Sequence, residues 1–475
     1  LEMANADLVV GNMLTNYDRV IGYAFPSTQP QYQDEATEIE EWSPANFDMR
    51  ASSREIFAKL NDVLDVTFSE TENVEELNVI AIAQSYQKSS SGFSYYPNNF
   101  NPLGFDILIS KNYSDPLVLG TGLTNFDYEV LVHELGHALG LKHPFEAQGE
   151  NISVLSFQED HPKHTVMTYT DDAIYYDGSF RPLDWLTLTK LYGVKYTVNP
   201  HDDIYTFLDD SSLFIIDGGG QDLIDSHQSV QDIFLDLRPG THSSAGSKSN
   251  YITASSQLTI SHGSEIENAK TGSGNDYIIG NDLANIIHSS SGDDQIFSGE
   301  GTDVVKSGAG FDTIDFSELN QVPDVLVFGE GDYIFGFDMV YGFTQGETGD
   351  IIDINDFSKG VPVLLPIVDV KNVPFGRIDG CILPIFGNGL GSVTSLSEKF
   401  KVGELLSKLL VSDGSHCVLI TAETQSTGEN QNLFYATSSK GSLEVMHLAS
   451  FIGNYLDIDS WTLDNFSAFH NEALV

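Results

Sequence analysis

The 475-residue chain has few basic residues. It contains 22 Lys and Arg against 69 Asp and Glu, which gives a formal net charge of −47 at pH 7. Nucleic-acid phosphates and anionic membrane surfaces would repel such a protein, so both are excluded as partners. Two roles remain for the excess acid: carboxylates that bind calcium, and a charged surface that keeps a secreted protein soluble. Both roles are expected together.

Cysteine and long apolar runs are also scarce. The two cysteines, Cys381 and Cys417, do not make a disulfide framework, and one bridge and two buried thiols are equally open. No apolar run approaches the ~20 residues that span a bilayer. No basic segment followed by an apolar stretch marks a cleavable N-terminal signal, so a secreted protein of this kind needs another exit route. The 41 % hydrophobic content predicts a globular protein of two or three domains.

Residues 133–143 read H-E-L-G-H-A-L-G-L-K-H. His133 and His137 are four residues apart, so on a helix both project from one face, with Glu134 placed beside them to accept a proton from water. Gly140 allows the chain to turn and bring His143 round as a third ligand. Three imidazoles with an open fourth position are typical of catalytic zinc. An amphipathic helix with unliganded histidines is the alternative, but chance rarely supplies the whole extended pattern.

A second motif, T-V-M-T-Y at 165–169, follows the histidines. Met167 is placed to form a methionine turn beneath the metal, and Tyr169 could reach the zinc or the transition state. His161 and His164 lie just upstream. Because the zinc already has three ligands, we expect them to be surface histidines in a loop.

A nine-residue period begins at residue 271 and runs through five repeats. Position six is acidic or Asn, and position eight is Ile or Val; such turns stack into a calcium-binding parallel β-roll with a narrow apolar core. D-G-G-G-Q-D at 217–222 resembles an isolated first turn. The predicted calcium ligands are Asp222, Gly272, Gly274, Asp276, Asn285, Gly292, Asp294, Gly299, Gly301, Asp303, Gly308, Gly310 and Asp312. Thr or Ser replaces glycine at position one in four repeats, which predicts fewer or weaker sites than an ideal roll has.

The region before the zinc motif predicts a helix packed on a sheet. Ser43-Pro44 has the capping hydroxyl and the proline that favour a helix start, and a helical apolar spacing follows. Residues 78–83 and 105–109 are predicted strands. The second is expected to be the edge strand above the cleft, where an extended peptide could add as a further strand.

The chain resembles the serralysins, which are secreted bacterial zinc proteases of the metzincin clan. The resemblance rests on H-E-L-G-H-A-L-G-L-K-H-P at 133–144, V-M-T-Y, P-L-D…K-L-Y-G at 182–193, D-G-G-G-Q-D, the nonapeptide repeats and D-I-I-D-I-N-D-F at 350–357. It implies that His133, His137 and His143 bind one zinc ion. It further implies that Glu134 is the general base and that Tyr169 is a flexible zinc ligand that stabilises the oxyanion.

The resemblance also implies the organisation of the chain. An α+β metzincin-like catalytic domain is expected at 1–198, an all-β calcium-binding parallel β-roll at 199–357, and a β-sandwich-like secretion and cap region at 358–475. A one-step (type I) exporter that reads an uncleaved C-terminal signal is the expected exit route, and Glu472-Ala473-Leu474-Val475 resembles the acidic-then-apolar ending of that family. We expect an extracellular monomer that acts on polypeptides, with several structural calcium ions.

Other classes of protein compete with this interpretation. A calcium-dependent adhesin or surface module could carry an inert or very selective protease domain, although the zinc set and Tyr169 are intact. A lipase with the same roll would need a G-x-S-x-G nucleophile elbow, and none occurs in the chain. The sequence does not separate broad proteolysis from cleavage of one partner, such as a host defence protein.

Overall fold

A computed structural model describes residues 19–33, 36, 39–97, 102–111, 125–148, 151–170, 172–175, 178–329, 338–344 and 349–353, and seven further strands between 363 and 467. Among these residues, no helix is both long and apolar enough to cross a membrane. The structure combines three α-helices with mixed sheets in which most pairings are parallel, as the resemblance predicts in outline. The three proposed domain boundaries remain predictions.

The N-terminal part is a six-stranded mixed sheet with helices packed against it. Its strands are β1 (Val20–Ala24), β2 (Glu40–Pro44), β3 (Thr67–Glu70), β4 (Val79–Tyr86), β5 (Gly92–Ser94) and β6 (Ile107–Ser110), in the order β3-β1-β4-β6-β5, with β2 beside β4. The helices are α1 (Phe47–Val63), α2 (Asn125–Ala138) and α3 (Pro182–Tyr192). Helix α1 buries Ile56, Phe57 and Leu60 against the sheet, and Phe57 stacks on Tyr23 with ring centroids 4.1 Å apart.

The predicted helix start at Ser43-Pro44 is wrong. Both residues end strand β2, where Pro44 pairs with Ala83 of β4, and the helix begins at Phe47. Asn46 is the N-cap, and its Oδ1 accepts a hydrogen bond from the Met49 amide at 2.8 Å. Asn and Ser cap helices equally well, so the local sequence is compatible with a helix that follows either Ser43 or Asn46. The helix follows Asn46 because Ser43 and Pro44 pair with strand β4.

The predicted edge strand is also different in the structure. Residues 78–83 and 105–109 correspond to β4 and β6, but β6 pairs with β4 on one side and with β5 on the other. The edge is therefore β5, which runs antiparallel to β6. This three-residue strand follows a serine-rich stretch without the apolar alternation that marks longer strands.

The central part is a coil whose turns supply strands alternately to two sheets. Its strands are β7 (Ile204–Thr206), β8 (Ser212–Ile215), β9 (Leu223–Asp225), β10 (Ile233–Asp236), β11 (His242–Ala245), β12 (Gln257–Ile260), β13 (Asn268–Lys270), β14 (Tyr277–Ile279), β15 (Ile286–His288), β16 (Gln295–Phe297), β17 (Val304–Lys306), β18 (Thr313–Asp315), β19 (Val325–Val327), β20 (Asp338–Tyr341) and β21 (Ile351–Asp353). The odd strands from β13 to β21 pair in parallel in one sheet, and the even strands from β14 to β20 in the other.

The five position-eight residues, Ile278, Ile287, Ile296, Val305 and Ile314, are completely buried between the two sheets. Each turn is too short to enclose apolar surface alone, so burial depends on stacking against its neighbours. The predicted inward-facing position of the repeat is thereby confirmed.

The last described strands continue the same sheets. They are β22 (Val363–Leu364), β23 (Val368–Asp369), β24 (Cys381–Phe386), β25 (His416–Ala422), β26 (Gln431–Ser439), β27 (Ser442–Ile452) and β28 (Phe466–Ser467). The paired strands expected near 432–436 and 445–449 are present as the antiparallel pair β26–β27, and the backbones of Cys381 and Cys417 are aligned on β24 and β25. The predicted C-terminal signal at 472–475 lies outside the described residues.

Candidate zinc and calcium sites

Helix α2 carries His133, Glu134 and His137 on its last turns, and the chain then turns sharply at Gly140. Gly140 has φ +102°, which a residue with a side chain rarely adopts, and the Leu141 amide donates to the Gly136 carbonyl at 2.9 Å. The turn reverses the chain so that His143 faces the two helix histidines. The predicted role of Gly140 is thus visible in the local geometry.

The three Nε2 atoms of His133, His137 and His143 converge on one point. The His137–His143 distance is 3.0 Å and the His143–His133 distance is 3.3 Å. Nitrogens that bind one zinc tetrahedrally at ~2.0 Å lie about 3.3 Å apart. The three residues form one of two groups among the described residues whose ligand atoms could hold a metal ion.

The other ring nitrogen of each histidine is already occupied. The Nδ1 atoms of His133 and His137 donate to the carbonyls of Val166 and Leu141, both at 2.8 Å. His143 Nδ1 donates to Glu146 Oε1 at 2.6 Å. These bonds place the protons on Nδ1 and leave three Nε2 lone pairs facing one another.

The three facing Nε2 atoms do not readily bind a proton in place of a metal ion. Burial, the largest effect, lowers the pKa of His133 to about 4 and the pKa of His137 well below its usual value, and the neighbouring histidines lower both further. Converging neutral imidazoles repel each other without a cation between them. The donor set therefore fits zinc.

Glu134 lies beside the histidines on the same helix. It is buried, and burial raises its pKa to about 8; among the described residues, no group hydrogen-bonds to its Oε2. Strand β5 passes directly over it: a Cβ on Gly92 would lie 2.8 Å from Glu134 Cγ and 2.9 Å from Oε1. A carboxylate with one free oxygen under an edge strand is well placed to exchange protons with a substrate lying on that strand.

The methionine turn lies below α2. Met167 is completely buried, and Thr165, Val166 and the start of α3 are tied together by Asp184. The Asp184 carboxylate accepts from Thr165 Oγ1 at 2.6 Å, from the Val166 amide at 2.8 Å and from the Arg181 amide at 2.9 Å. Since the Val166 carbonyl accepts from His133, Asp184 supports the backbone that orients a predicted zinc ligand. Sequence reasoning did not identify this role for Asp184.

Tyr169 stands at the outer side of the histidine cluster. The residue is 68 % exposed, and its ring centroid is 4.5 Å from that of His143 and 5.8 Å from that of His133. Partial burial raises the pKa of Tyr169, and the charges of Glu134 and Glu146 raise it further, so its hydroxyl stays protonated and able to donate.

His161 and His164 lie apart from the cluster. His164 contacts Thr253 at 3.3 Å, and His161 packs edge-on against Tyr175. Neither belongs to a group of described residues that could hold a metal.

A cleft of about 390 Å³ lies alongside Glu134 and His133. The region of the edge strand β5 forms one wall of the cleft, and α2 and the methionine turn form the other. The lining is Ser89, Ser90, Ser91, Gly92, Phe126, Glu129, Val130, His133, Glu134, Pro162, Val166, Thr168, Tyr169 and Thr170. The predicted general base thus faces an open cleft.

The position-six acids of the roll form two rows of hydrogen bonds, one along each side. In the first row, Oδ1 of Asp276, Asp294 and Asp312 accepts from the amides of Ile233, Asp276 and Asp294 at 2.7, 2.7 and 2.9 Å. All three side chains are buried, and among the described residues none provides a hydrogen bond to their Oδ2 atoms. A row of free, buried carboxylate oxygens is suited to Ca²⁺.

The second row extends beyond the predicted ligands. Asn285 and Asp303 are followed by Asp324 and Asp350, and each side chain accepts at 2.8–3.0 Å from the amide of the preceding acid or asparagine. Asp324 and Asp350 were missed because their turns lack the glycine spacing. The sequence does contain one indication of them. An apolar residue, Leu326 or Ile352, lies two positions after each acid, as position eight follows position six in the regular repeats, and both are buried.

Burial raises the pKa of every acid in these rows. The values are about 6 for Asp276, Asp312 and Asp350, about 7 for Asp303, and about 8 for Asp294 and Asp324. Each carboxylate is therefore costly in the ionised form unless a cation lies nearby. The chemistry of both rows fits calcium.

The seven predicted glycines, Gly272, Gly274, Gly292, Gly299, Gly301, Gly308 and Gly310, lie at the turns where the backbone of one coil approaches the next. At Gly310, for example, a Cβ would collide with the Gly292 carbonyl. Glycine allows these carbonyls to lie close to the neighbouring turn, where the predicted ligand oxygens are needed.

The position-one hydroxyls are buried in the same turns. Thr271, Ser289, Ser298 and Ser307 each lower the raised pKa of the acid five residues later, and Ser307 Oγ donates to Asp338 Oδ2 at 2.8 Å. The hydroxyls of Thr271 and Ser289 donate to the carbonyls of Ser289 and Ser307, at 3.2 and 2.6 Å. The expectation of weaker sites remains a prediction.

The second candidate metal group lies at the first turn of the coil. Oxygens of Asp203, Asp217 and Asp222 lie within 4.8 Å of one another. Asp222 was predicted as a ligand, and its buried Oδ2 has no hydrogen-bond partner among the described residues. Burial raises the pKa of Asp217 to about 6 and that of Asp222 above its usual value. Asp203 and Asp217 were not predicted, since their approach depends on how the coil closes.

Several known proteins are similar to the chain in sequence. Residues 279–314 match the family described as RTX calcium-binding nonapeptide repeat (4 copies). Serralysin of Proteus mirabilis is 27 % identical over 307 residues, covering 56 % of this chain and 60 % of the relative. Serralysin G of Dickeya chrysanthemi is 27 % identical over 319 residues, covering 59 % and 64 %. Metalloprotease AprA of Pseudomonas entomophila (strain L48) is 29 % identical over 260 residues, covering 48 % and 52 %.

The chain thus spans between about half and two thirds of the length of these relatives. The repeat match falls on the turns that carry the buried Asp294, Asp303 and Asp312. The resemblance to the serralysin family that the motifs predict is thereby confirmed.

Proposed function

We propose that this chain is a secreted zinc-dependent endopeptidase whose repeat region is a calcium-stabilised β-roll. The observation that carries the proposal is the convergence of three Nε2 atoms at 3.0–3.3 Å, each from a histidine whose Nδ1 is hydrogen-bonded, beside a buried Glu134 with a free oxygen. The names serralysin and metalloprotease AprA of its relatives support the same activity.

The reaction is hydrolysis of an internal peptide bond. Bound zinc, held by His133, His137 and His143, supplies Lewis-acid polarisation of the scissile carbonyl and the attacking water. Glu134, ionised once the zinc cation lies beside it, would accept the proton of that water and deliver it to the leaving amine. The neutral hydroxyl of Tyr169 donates a hydrogen bond to the developing oxyanion after the side chain moves inward.

The substrate is a polypeptide in extended form. Strand β5 offers its outer backbone edge above Glu134, so a peptide can pair there and place a scissile bond over the histidines. This retains the predicted mode of binding but assigns it to β5 instead of residues 105–109.

Several calcium ions would occupy the roll, with ligands at Asp222, Asp276, Asp294, Asp303 and Asp312, the turn carbonyls, and Asp324 and Asp350. The raised pKa values support these assignments. The Oδ2 atoms of the first five acids, which have no hydrogen-bond partner among the described residues, support them further, whereas Asp350 Oδ2 accepts from the Thr344 amide at 2.7 Å. Secretion as a monomer through a one-step exporter follows from the family resemblance and belongs to the same proposal. An inert adhesin-like domain is disfavoured because the zinc ligands, Glu134 and Tyr169 lie together.

The test compares wild type, Glu134→Ala and a matched surface variant, Glu55→Ala, on casein and a mixed-peptide library in millimolar Ca²⁺, with the metal content assayed. Glu55 is exposed, pairs with Lys59 on helix α1 and does not line the cleft. We expect one zinc in all three proteins and cleavage by wild type and Glu55→Ala alone. Undiminished cleavage by Glu134→Ala, or no zinc in wild type, would contradict the proposal.

A further inference from the structure

The third predicted zinc ligand is held differently from the other two. His133 and His137 donate to backbone carbonyls, whose positions are fixed by the methionine turn and by the turn that ends α2. His143 lies beyond the helix and donates to a side-chain carboxylate, Glu146 Oε1, at 2.6 Å. The orientation of this imidazole therefore depends on where the following loop places one acidic residue.

A buried lysine fixes the loop. Lys142 has no exposed surface, and its ammonium donates to the carbonyls of His143 at 3.2 Å, Glu146 at 2.9 Å and Ser153 at 2.8 Å. An ammonium carries three N–H donors, so one buried side chain can hold several carbonyls at once. These contacts join the backbone of the third ligand and of its carboxylate partner to the far end of the loop.

A third contact acts on the face of the imidazole. The Phe145 ring stacks on His143 with centroids 5.1 Å apart and planes 7° apart. The loop thus holds the ring at its Nδ1 edge through Glu146 and on one face through Phe145. Lys142, Phe145 and Glu146 all lie on the segment 142–146. A small shift of this segment would therefore move the His143 ring.

We propose that Glu146 is a positioning residue that orients His143 toward zinc, and that Lys142 is the internal cation that fixes Glu146 in place. The inference rests on the proposed zinc site. A carboxylate that accepts from the outer nitrogen of a ligating histidine fixes its tautomer and strengthens it as a ligand, and loss of such a partner typically weakens metal binding ~10–100-fold.

The first experiment measures zinc affinity by chelator competition for wild type, Glu146→Gln and Glu146→Ala, with Glu55→Gln as the matched control on a distant surface. Glu146 is 47 % exposed in its side chain, so its replacement leaves the core intact. We expect about 10–100-fold weaker zinc binding in Glu146→Ala. Glu146→Gln should lie between, because its amide oxygen still accepts the Nδ1 proton but carries no charge. Equal affinities in all four proteins would overturn the proposal.

The second experiment uses cobalt in place of zinc. The visible d–d absorption of Co²⁺ reports the ligand geometry directly, which a general change in stability would not alter. We expect a shifted spectrum in both Glu146 variants and in Lys142→Met, and an unshifted one in Glu55→Gln. An unshifted spectrum in Glu146→Ala would overturn the role of Glu146.

The lysine is tested by combining the changes. If Lys142 acts through Glu146, Lys142→Met should weaken zinc binding less in the Glu146→Ala background than in wild type. Fully additive losses of zinc affinity would show that Lys142 does not act through Glu146. If Lys142→Met does not fold, the Glu146 variants alone test the proposal.

Zinc binding and casein cleavage by the wild type separate the proposed function from this inference. Their absence contradicts the proposed function, whereas their presence with unchanged Glu146 variants contradicts only the positioning role of Glu146.

Discussion

The sulfur of Met167 lies against Gly136, so closely that a Cβ on Gly136 would come within 2.5 Å of Sδ. This contact joins the methionine turn to the last turn of helix α2, between His133 and His137. A glycine inside a helix costs stability, so its presence here is explained by the space that the methionine needs.

Gly136→Ala should therefore destabilise the protein although alanine favours helices. Overpacking costs ~1–3 kcal/mol and the gain in helix propensity is ~1 kcal/mol, which leaves a net loss of up to about 2 kcal/mol. Chemical denaturation of the first domain, together with zinc affinity, measures the change. The double variant Gly136→Ala/Met167→Ala removes the collision and should lose less zinc affinity than Gly136→Ala does. A Gly136→Ala protein that is more stable than wild type would show that Met167 does not pack tightly on Gly136 in solution.

Asp184→Asn should weaken the methionine turn. The carboxylate accepts three hydrogen bonds, whereas an amide would turn its NH₂ toward a donor, and we expect a loss of about 2–3 kcal/mol. Urea unfolding gives the stability change, and Asp65→Asn on the surface is the control. Unchanged stability would show that the Thr165–Val166 backbone is held by other contacts.

Gly92→Ala should lower kcat while zinc remains bound. The added methyl group would lie 2.8 Å from Glu134 Cγ and would push the carboxylate from its place under β5. Peptide hydrolysis and metal content distinguish this from loss of the metal. Ser94→Ala, a change of similar size on the same strand, serves as control, and an active Gly92→Ala enzyme would mean that Glu134 tolerates displacement.

Without calcium, the roll should become less stable as the pH rises. The folded pKa values of Asp294, Asp303 and Asp324, about 8, 7 and 8, are raised above the ~4 of an unfolded aspartate. The folded state therefore binds more protons between about pH 4 and pH 8, and the free energy of unfolding falls as pH rises through that window. Circular dichroism melts in a calcium chelator at pH 5.5 and pH 8 test this. Calcium should remove most of the difference, and a calcium-free roll that is more stable at pH 8 would contradict the buried rows of acids.

Asp324→Asn should raise the calcium concentration needed to fold the roll by as much as Asp303→Asn does. Asp324 occupies the same place in the second row, accepting from the Asp303 amide at 2.8 Å. Calcium titrations followed by circular dichroism compare the two with Asp315→Asn, which lies outside the rows. If Asp324→Asn behaves like the control, calcium binding ends with the regular repeats.

The sequence predicted the parts of the site whose geometry is local. Three histidines and a glutamate within eleven residues need only one helix and one turn, and the repeat acids need only a period of nine. Glu146 is just three residues beyond His143, yet no periodicity connects them, because its contact depends on a loop held by Lys142. Asp184 reaches Val166 from another helix, and such tertiary pairs carry no spacing signal.

The order of the strands in the sheet was also not predictable from the sequence. Parallel strands read as apolar runs whichever neighbours they have, so 105–109 could be identified as a strand but not as an inner one. The true edge, β5, is three residues long and has no apolar alternation. Strands β10 to β12 interrupt the coil with antiparallel pairs, which explains why no period is visible at 226–262.

The two rows of acids point one way along the coil. Except for Asn285, which accepts from the Asn281 amide of its own turn, each side chain accepts from an amide of the turn before it, so each of these turns is completed by the one that follows. At the far end, β27 and β28 pair in parallel with β20 and β21 and take the place of a next turn. The segment that leaves the coil is therefore also its closing piece. A chain that emerges amino end first would carry its unfinished turns until its carboxyl end arrives.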